Sequence, residues 1–381
     1  MKIEKVEGIV IGETNYSESI LLGICEKLQL SPSLYKQATE RYETIAHTIQ
    51  SDPVFKEIEL KMYPQGSFRL KTTVKPLSEE EYDIDFVVEL PTNATMSPRQ
   101  LYDHIVRILR HDGTHNDMVE LKKRCVRVNY ANDFHMDIMP GRSVNPVTHE
   151  IIVPDRELAA WYHHSNPIGF AEWFEQQAKT QIIDERSHFG KFSCEVEKVT
   201  EQEVASRLEP LRRAVQLVKR YRDIYCEKYN TEPVRSIVIC TLMGQITSYA
   251  GDTLQVLDRF CTYVTALIRA NGDQPFEVRN PVVNEKLTEK WEEGNNYRDF
   301  VDMMKALTAD VTLLKQKTLN SEINPILKKM FGEVVTDYAI TKFAKATTAA
   351  RVNGTLSMDR NGTLNTNGLG AQVKKNTFYG N

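Results

Sequence analysis

The 381-residue chain holds only six cysteines, Cys25, Cys125, Cys194, Cys226, Cys240 and Cys261, and no two of them form a Cys-x-x-Cys pair. That scatter argues against a zinc site or a disulfide framework and predicts buried, reduced thiols. Long apolar runs are missing too: none approaches the roughly 20 residues that span a bilayer. The opening MKIEKVEGIVIGETNYSESI has no basic stretch followed by a continuous apolar one, so neither a secretory signal nor a membrane partner is expected, and the expected compartment is the cytoplasm. Positive charge is not in excess, with 48 Lys and Arg against 52 Asp and Glu and a net charge of −4. Proteins that coat nucleic acid rely on accumulated Lys and Arg, so stable nucleic-acid binding is not expected. Nothing matches G-x-x-x-x-G-K-[ST], which removes support for a P-loop.

What is present is an ordinary globular composition, 41% hydrophobic and 26% charged, over a length that suits two domains around one cleft. In residues 31–50, Ser31 and Pro32 stand where a helix cap and first turn want them, and Leu34, Ala38, Tyr42, Ile45 and Ile49 recur at helical spacing. Residues 56–63 alternate through Ile58, Leu60 and Met62 like a half-buried strand and end at the turn Pro64-Gln65-Gly66-Ser67. A second strand is predicted over 82–90, a helix over 97–110, and a hairpin from 125–130 and 134–140 joined by Ala131-Asn132-Asp133. From about residue 156 the pattern turns helical, with segments at 170–183, 203–229, 236–250, 253–270 and 297–316. The expected division is a mixed α/β domain over 1–155, a helical one over 156–335 and a C-terminal tail over 336–381. Beyond 351 the tail carries five Gly, six Asn and a repeated NGTL, and is expected to be flexible.

The chemistry concentrates in the α/β part. Asp83 and Asp85 sit inside YDIDFVVEL, a run that should be buried, and residues two apart on a strand share a face. Asp137 stands in the same way between Met136 and Ile138. A buried carboxylate is costly unless it is paired or holds a metal, so three of them call for a cation. Hard oxygen ligands suit Mg²⁺, with Mn²⁺ as a substitute, and two such ions could clamp an in-line phosphoryl displacement. Gly66-Ser67 adds a turn whose backbone can approach a phosphate closely. Taken singly, these are a turn and two solvated acids; their combination in this order favours a site.

The pattern Gly66-Ser67, Asp83-Ile84-Asp85 and a third strand Asp at Asp137, followed by a helical half, resembles the DNA polymerase β-like nucleotidyltransferase superfamily. Within it, QGSFRLKTTVKP and YDIDFVVEL closely resemble the cGAS/DncV-like nucleotidyltransferases of bacterial CBASS anti-phage systems. The resemblance implies a polymerase β-like core with a mixed sheet and an oligoadenylate-synthetase-like helical lobe. It implies two Mg²⁺ ions on Asp83 and Asp85, with Asp137 holding one and helping to activate the attacking hydroxyl. Gly66 and Ser67 would bind the donor triphosphate, joined by Lys219 of VQLVKRY and Ser236 of VRSIVI. The implied activity condenses nucleoside triphosphates, ATP among them, into a cyclic di- or trinucleotide messenger for a separate effector, releasing pyrophosphate. Ubiquitin-like conjugation or other regulatory machinery is an implied partner. The alternatives are transfer of a nucleotide to an RNA end or a protein hydroxyl, and a non-catalytic nucleotide sensor.

Other polar features read more plainly. His135 is expected to be a hairpin side chain, and the adjacent His163-His164 to point apart without chelating. Arg212, Arg213, Lys219, Arg220 and Arg222 form a basic cluster interrupted by Glu209 and Asp223, of which most members are expected to be solvated.

Overall fold

A computed structural model describes residues 16–77, 82–111, 113–130, 134–157, 163–179, 199, 202–246, 251–272, 274–358, 364–365 and 371–373. In chain order the elements are α1 (Tyr16–Leu28), α2 (Pro32–Gln50), β1 (Lys61–Gln65), α3 (Gly66–Arg69), β2 (Tyr82–Leu90), α4 (Pro98–His111), β3 (Val119–Leu121), β4 (Val126–Tyr130), β5 (Phe134–Asn145), β6 (Glu150–Val153) and β7 (His163–Ser165). There follow α5 (Pro167–Lys179), α6 (Pro210–Tyr229), α7 (Ser236–Gly244), α8 (Thr253–Ala270), α9 (Asn296–Gln316), α10 (Asn320–Phe331) and α11 (Glu333–Val352), then the short strands β8 (Ser357–Met358), β9 (Leu364–Asn365) and β10 (Ala371–Gln372).

The main sheet runs β1-β2-β5-β4-β3, with β6 on β5 and β7 on β6. It is mixed: β2 lies parallel to β5 and antiparallel to β1, while β4 and β5 pair antiparallel. Side-chain alternation sorts its two faces. Ile84, Phe86 and Val88 of β2, Val126 and Val128 of β4, and Met136 and Ile138 of β5 form one core with Ile45 and Ile49 of α2 and Leu101 and Ile105 of α4. Residues of opposite parity, Asp83, Asp85 and Asp137, are therefore turned away from that core. The α2 cap has the form the sequence suggests, Ser31 Oγ accepting from Leu34 N at 3.2 Å.

A second core is made by helices. It joins α5 to α11 and also takes in α1, which stands at the other end of the described chain. Gly23 of α1 allows the contact, since a Cβ there would lie 2.8 Å from Ala339 Cβ on α11. Glu18 of α1 is buried and accepts hydrogen bonds from Thr253 N (3.0 Å), Thr253 Oγ1 (2.6 Å) and Leu254 N (3.2 Å), placing a negative side chain on the N-terminus of α8.

The basic cluster on α6 corrects the sequence expectation. Arg212, Arg213, Lys219 and Arg220 are all buried. Most of what they hold is backbone carbonyl: Arg212 donates to Leu70 O, Lys219 to Thr72 O, Arg213 to Leu208 O, and Arg220 to Phe331 O and Lys75 O. Gln216 adds Thr73 O at 3.1 Å. The irregular segment that follows α3 is thus laced along α6, and this fastens the sheet to the helical core. Satisfied carbonyls make burial of the cations tolerable.

Past Val352, Leu356 and Ser357 are buried, and β8 is the middle strand of a small sheet with β9 and β10. The rest of the tail, like Ala131-Asn132-Asp133 and residues 247–250, lies outside the described residues.

Candidate active site

The two β2 carboxylates and Asp137 occupy one face of adjacent strands, with Asp85 directly beside Asp137 in the parallel register. Asp83 lies at the rim, its side chain 62% exposed, and Asp137 further in at 15%. Asp85 is tucked beneath the turn that starts α3. Gly66 has φ +61° there, and a Cβ on it would fall 2.3 Å from Asp85 Oδ2. Both the backbone conformation and the close approach require glycine. Desolvation, together with the charges of Asp137 and Asp83, pushes the Asp85 carboxyl up to about 7, with Arg127 and Lys219 offsetting part of the effect.

Sequence reasoning missed Arg127. Its Nε donates to Asp137 Oδ1 at 2.6 Å and its Nη2 to Asp137 Oδ2 at 2.8 Å, a bidentate pair, and Nη2 also reaches Asp83 Oδ1 at 3.1 Å. These carboxylates raise its guanidinium further above the ordinary arginine range, the Asp137 hydrogen bonds first. The signal was available: a hairpin that pairs Tyr130 with Phe134 necessarily sets Arg127 opposite Asp137. Among the described residues, no three His, Cys, Asp or Glu side chains are gathered as a ready chelating group. The all-carboxylate donor set on one sheet face nonetheless suits a hard divalent cation, which would have to take oxygens that now accept from Arg127.

The remaining predicted residues meet in a neighbouring cavity. Gly66, Ser67, Lys219 and Ser236 all line one cleft of about 190 Å³ between the α3 turn and the helices α5, α6 and α7. Ser67 is the second residue of α3 and shares a 3.5 Å contact with Thr73 Oγ1. Lys219 Nζ donates to Thr72 O at 3.0 Å and lies 3.4 Å from Thr72 Oγ1. Burial lowers its ammonium from the usual lysine range, against the pull of nearby acids including Asp85. Ser236 is the first residue of α7, and its Oγ accepts from Arg222 Nη1 at 3.0 Å. That bond directs the hydroxyl proton elsewhere, so Arg222, half-buried and also bonded to Val234 O, orients Ser236. His163 and His164 diverge along β7, the first to Glu285 at 3.1 Å and the second to Glu150 at 2.6 Å.

The chain is similar to known proteins in both sequence and fold. Residues 17–178 match the profile of the Second Messenger Oligonucleotide or Dinucleotide Synthetase domain. A c-di-GMP synthase of Roseivirga ehrenbergii is 29% identical over 375 residues, covering 95% of this chain and 97% of the relative. Among solved structures, the Bradyrhizobium diazoefficiens CD-NTase CdnG in complex with GTP superposes with a TM-score of 0.69 at 22% identity, over 86% of this chain and 99% of that one. The Vibrio cholerae DncV cyclic AMP-GMP synthase in complex with the linear intermediate pppA(3′,5′)pG gives 0.56 at 17% identity, over 84% and 87%. The chain thus carries a match to a second-messenger nucleotide synthetase domain over 17–178, is similar along nearly its whole length to a cyclic dinucleotide synthase, and shares its fold with cGAS/DncV-like nucleotidyltransferases.

Proposed function

We propose that the cleft binds nucleoside triphosphates and joins them into a cyclic oligonucleotide messenger. The observation that carries this reading is the contact between the Asp85 carboxylate and Gly66. It sets the acidic strand face against the wall of the cavity that Ser67, Lys219 and Ser236 also line. The c-di-GMP synthase identity of the Roseivirga relative supports a dinucleotide product. ATP or GTP, or both, are the substrates, a separate effector reads the product in anti-phage defence, and a regulatory partner acts on the protein in the cell.

In this reading Gly66 N–H and Ser67 take the donor triphosphate, and Lys219 and Ser236 hold its far end. A ribose hydroxyl of the second nucleotide attacks the α-phosphorus in line, the bond to the bridging oxygen breaks, and pyrophosphate leaves. Asp137 is placed to orient the attacking hydroxyl and draw on its proton. Asp83, Asp85 and Asp137 would hold two Mg²⁺ ions, or Mn²⁺, whose bound charge stabilises the negative oxygens that develop. Arg127 must then release the carboxylates it pairs with. The protein's own contribution is positioning and electrostatics, with no covalent enzyme intermediate. Incubation with the four triphosphates and Mg²⁺ and no acceptor tests this. Release of pyrophosphate supports it, and release only after RNA or a protein acceptor is added favours nucleotide transfer to that acceptor instead.

A further inference from the structure

Among the described residues, two basic side chains and one acidic one line the cleft: Arg69, Lys219 and Glu285. A carboxylate beside a triphosphate is repelled by it, so Glu285 must face a part of the nucleotide that carries hydrogen-bond donors and no charge. Its surroundings fix it for that purpose. One oxygen, Oε1, is 3.1 Å from His163 Nε2 on β7, and the other, Oε2, accepts from Asn280 Nδ2 at 3.0 Å. The backbone closes the same unit, Asn280 N donating to Glu285 O at 2.9 Å. Asn280 Oδ1 accepts from Val282 N, which sets the amide so that the nitrogen faces Glu285. Burial works against ionisation of Glu285, but the hydrogen bonds from His163 and Asn280 outweigh it and hold the carboxyl below its usual range.

Each carboxylate oxygen can accept a further hydrogen bond, and the Asn280 amide has a second N–H to give. The wall therefore offers a donor beside two ionised acceptors. Guanine presents the complement along its Watson–Crick edge, the O6 acceptor followed by the N1–H and N2–H₂ donors. Adenine and cytosine each set a ring acceptor beside their amino group, and uracil flanks its single N–H with two carbonyls. A ribose diol would also satisfy the carboxylate but would leave the second Asn280 N–H without a partner. We infer that Glu285 and Asn280 read the base in this cleft and select guanine, with Glu285 accepting from N1–H and N2–H₂ and Asn280 donating to O6. This rests on the cleft being the nucleotide site, and Asn166 of the same wall does not compete for the base edge, since it is engaged with Thr148 O and Gly169 N.

The test is titration calorimetry of the full chain with Mg²⁺ and non-hydrolysable triphosphates of guanosine, inosine and adenosine. Inosine keeps O6 and N1–H and lacks only the 2-amino group. The wild type is expected to bind guanosine about tenfold more tightly than inosine, the size of one lost hydrogen bond to a charged group, and more tightly still than adenosine. Glu285→Gln should bring guanosine and inosine to within about threefold while adenosine still binds at least as well as to the wild type, which also shows that the variant is folded. Asn280→Ala should weaken guanosine and inosine together, because they share O6, and again spare adenosine. Equal affinity of the wild type for all three bases, or an unchanged guanosine preference in Glu285→Gln, overturns the inference while the nucleotide site stands. So does sensitivity of Glu285→Gln to 2′- or 3′-deoxyribose in place of the base. Failure of the wild type to bind any of the three overturns the reading of the cleft itself.

Discussion

The acidic strand face lies against the wall of the cleft that the basic helix α6 helps to line, and the two obey different rules. On β2 and β5 the sequence period alone sorts the side chains: Ile84, Phe86 and Met136 go into the core, and Asp83, Asp85 and Asp137 to the other face. On α6 the period misleads, because Arg212, Arg213, Lys219 and Arg220 lie on different sides of the helix and yet all are buried. A strand has two faces and one of them is core, so parity decides. A long basic side chain is buried or solvated according to whether carbonyl oxygens from outside its own helix reach it, here from residues 70–75, from Leu208 just before α6 and from Phe331. In the proposed function the acidic face is a chemical site with modest structural duty, whereas much of the basic stripe is a structural clasp from which Lys219 alone reaches the cavity.

Substitutions can break that contrast. Asp83→Asn with Asp85→Asn should reduce pyrophosphate release by more than about 1,000-fold while circular dichroism and the unfolding midpoint hold, since the change removes charge from a strained like-charge pair. A double variant that unfolds would make the acidic face structural after all. On the other side, Arg213→Ala leaves Glu18 buried and without its 3.5 Å cation, and should cost about 3 kcal/mol in denaturant unfolding. Lys36→Ala, at an exposed i,i+4 pair, should stay within about 0.5 kcal/mol. If both cost the same, the clasp is not the difference between the two stripes.

Finer variants sharpen it. Arg222→Ala should raise the donor KM several-fold with little change in kcat, and Arg222→Lys should restore part of it, because orienting Ser236 acts on a contact made before and during reaction. An unchanged KM would return Arg222 to a purely structural role. The smallest effect concerns Glu18, whose carboxyl is raised from its ordinary 4.5 chiefly by burial. A raised acid contributes stability that is complete below its unfolded pKa and is lost as pH rises through its folded one. Relative to Glu18→Gln, the wild type should therefore lose stability as pH climbs above about 4.5, and parallel profiles for the two would contradict this.

The comparison also explains what was legible. The helix at 31–50 is found at Pro32–Gln50, the strand at 82–90 at Tyr82–Leu90, and the helix at 253–270 at Thr253–Ala270, all of them segments whose period, caps and core agree. The strand expected over 56–63 begins only at Lys61, where it pairs with β2, because alternation does not reveal where a partner strand stops. The helices Tyr16–Leu28, Asn320–Phe331 and Glu333–Val352 have no counterpart among the expected elements, and the last straddles the expected start of the tail at 336. The first carries the polar run Ser17-Glu18-Ser19 in its first turn, with Glu18 buried where the α8 N-terminus and Arg213 receive it, and the second carries Pro325 in its interior. Both are made by tertiary contacts. The same holds for the proposed site: the three aspartates follow from parity, Arg127 from hairpin register, and Arg222, Asn280 and Glu285 only from the folded cleft.

The central claim is that the acidic face and the cleft together join nucleotides to each other. Mass spectrometry of the phosphatase-resistant product, formed from nucleoside triphosphates and Mg²⁺ with no added acceptor, tests it most directly. The account predicts a cyclic product whose mass equals that of its nucleoside monophosphates less one water for each. A product that is only linear, or an adduct that appears only when RNA or protein is supplied, would contradict it.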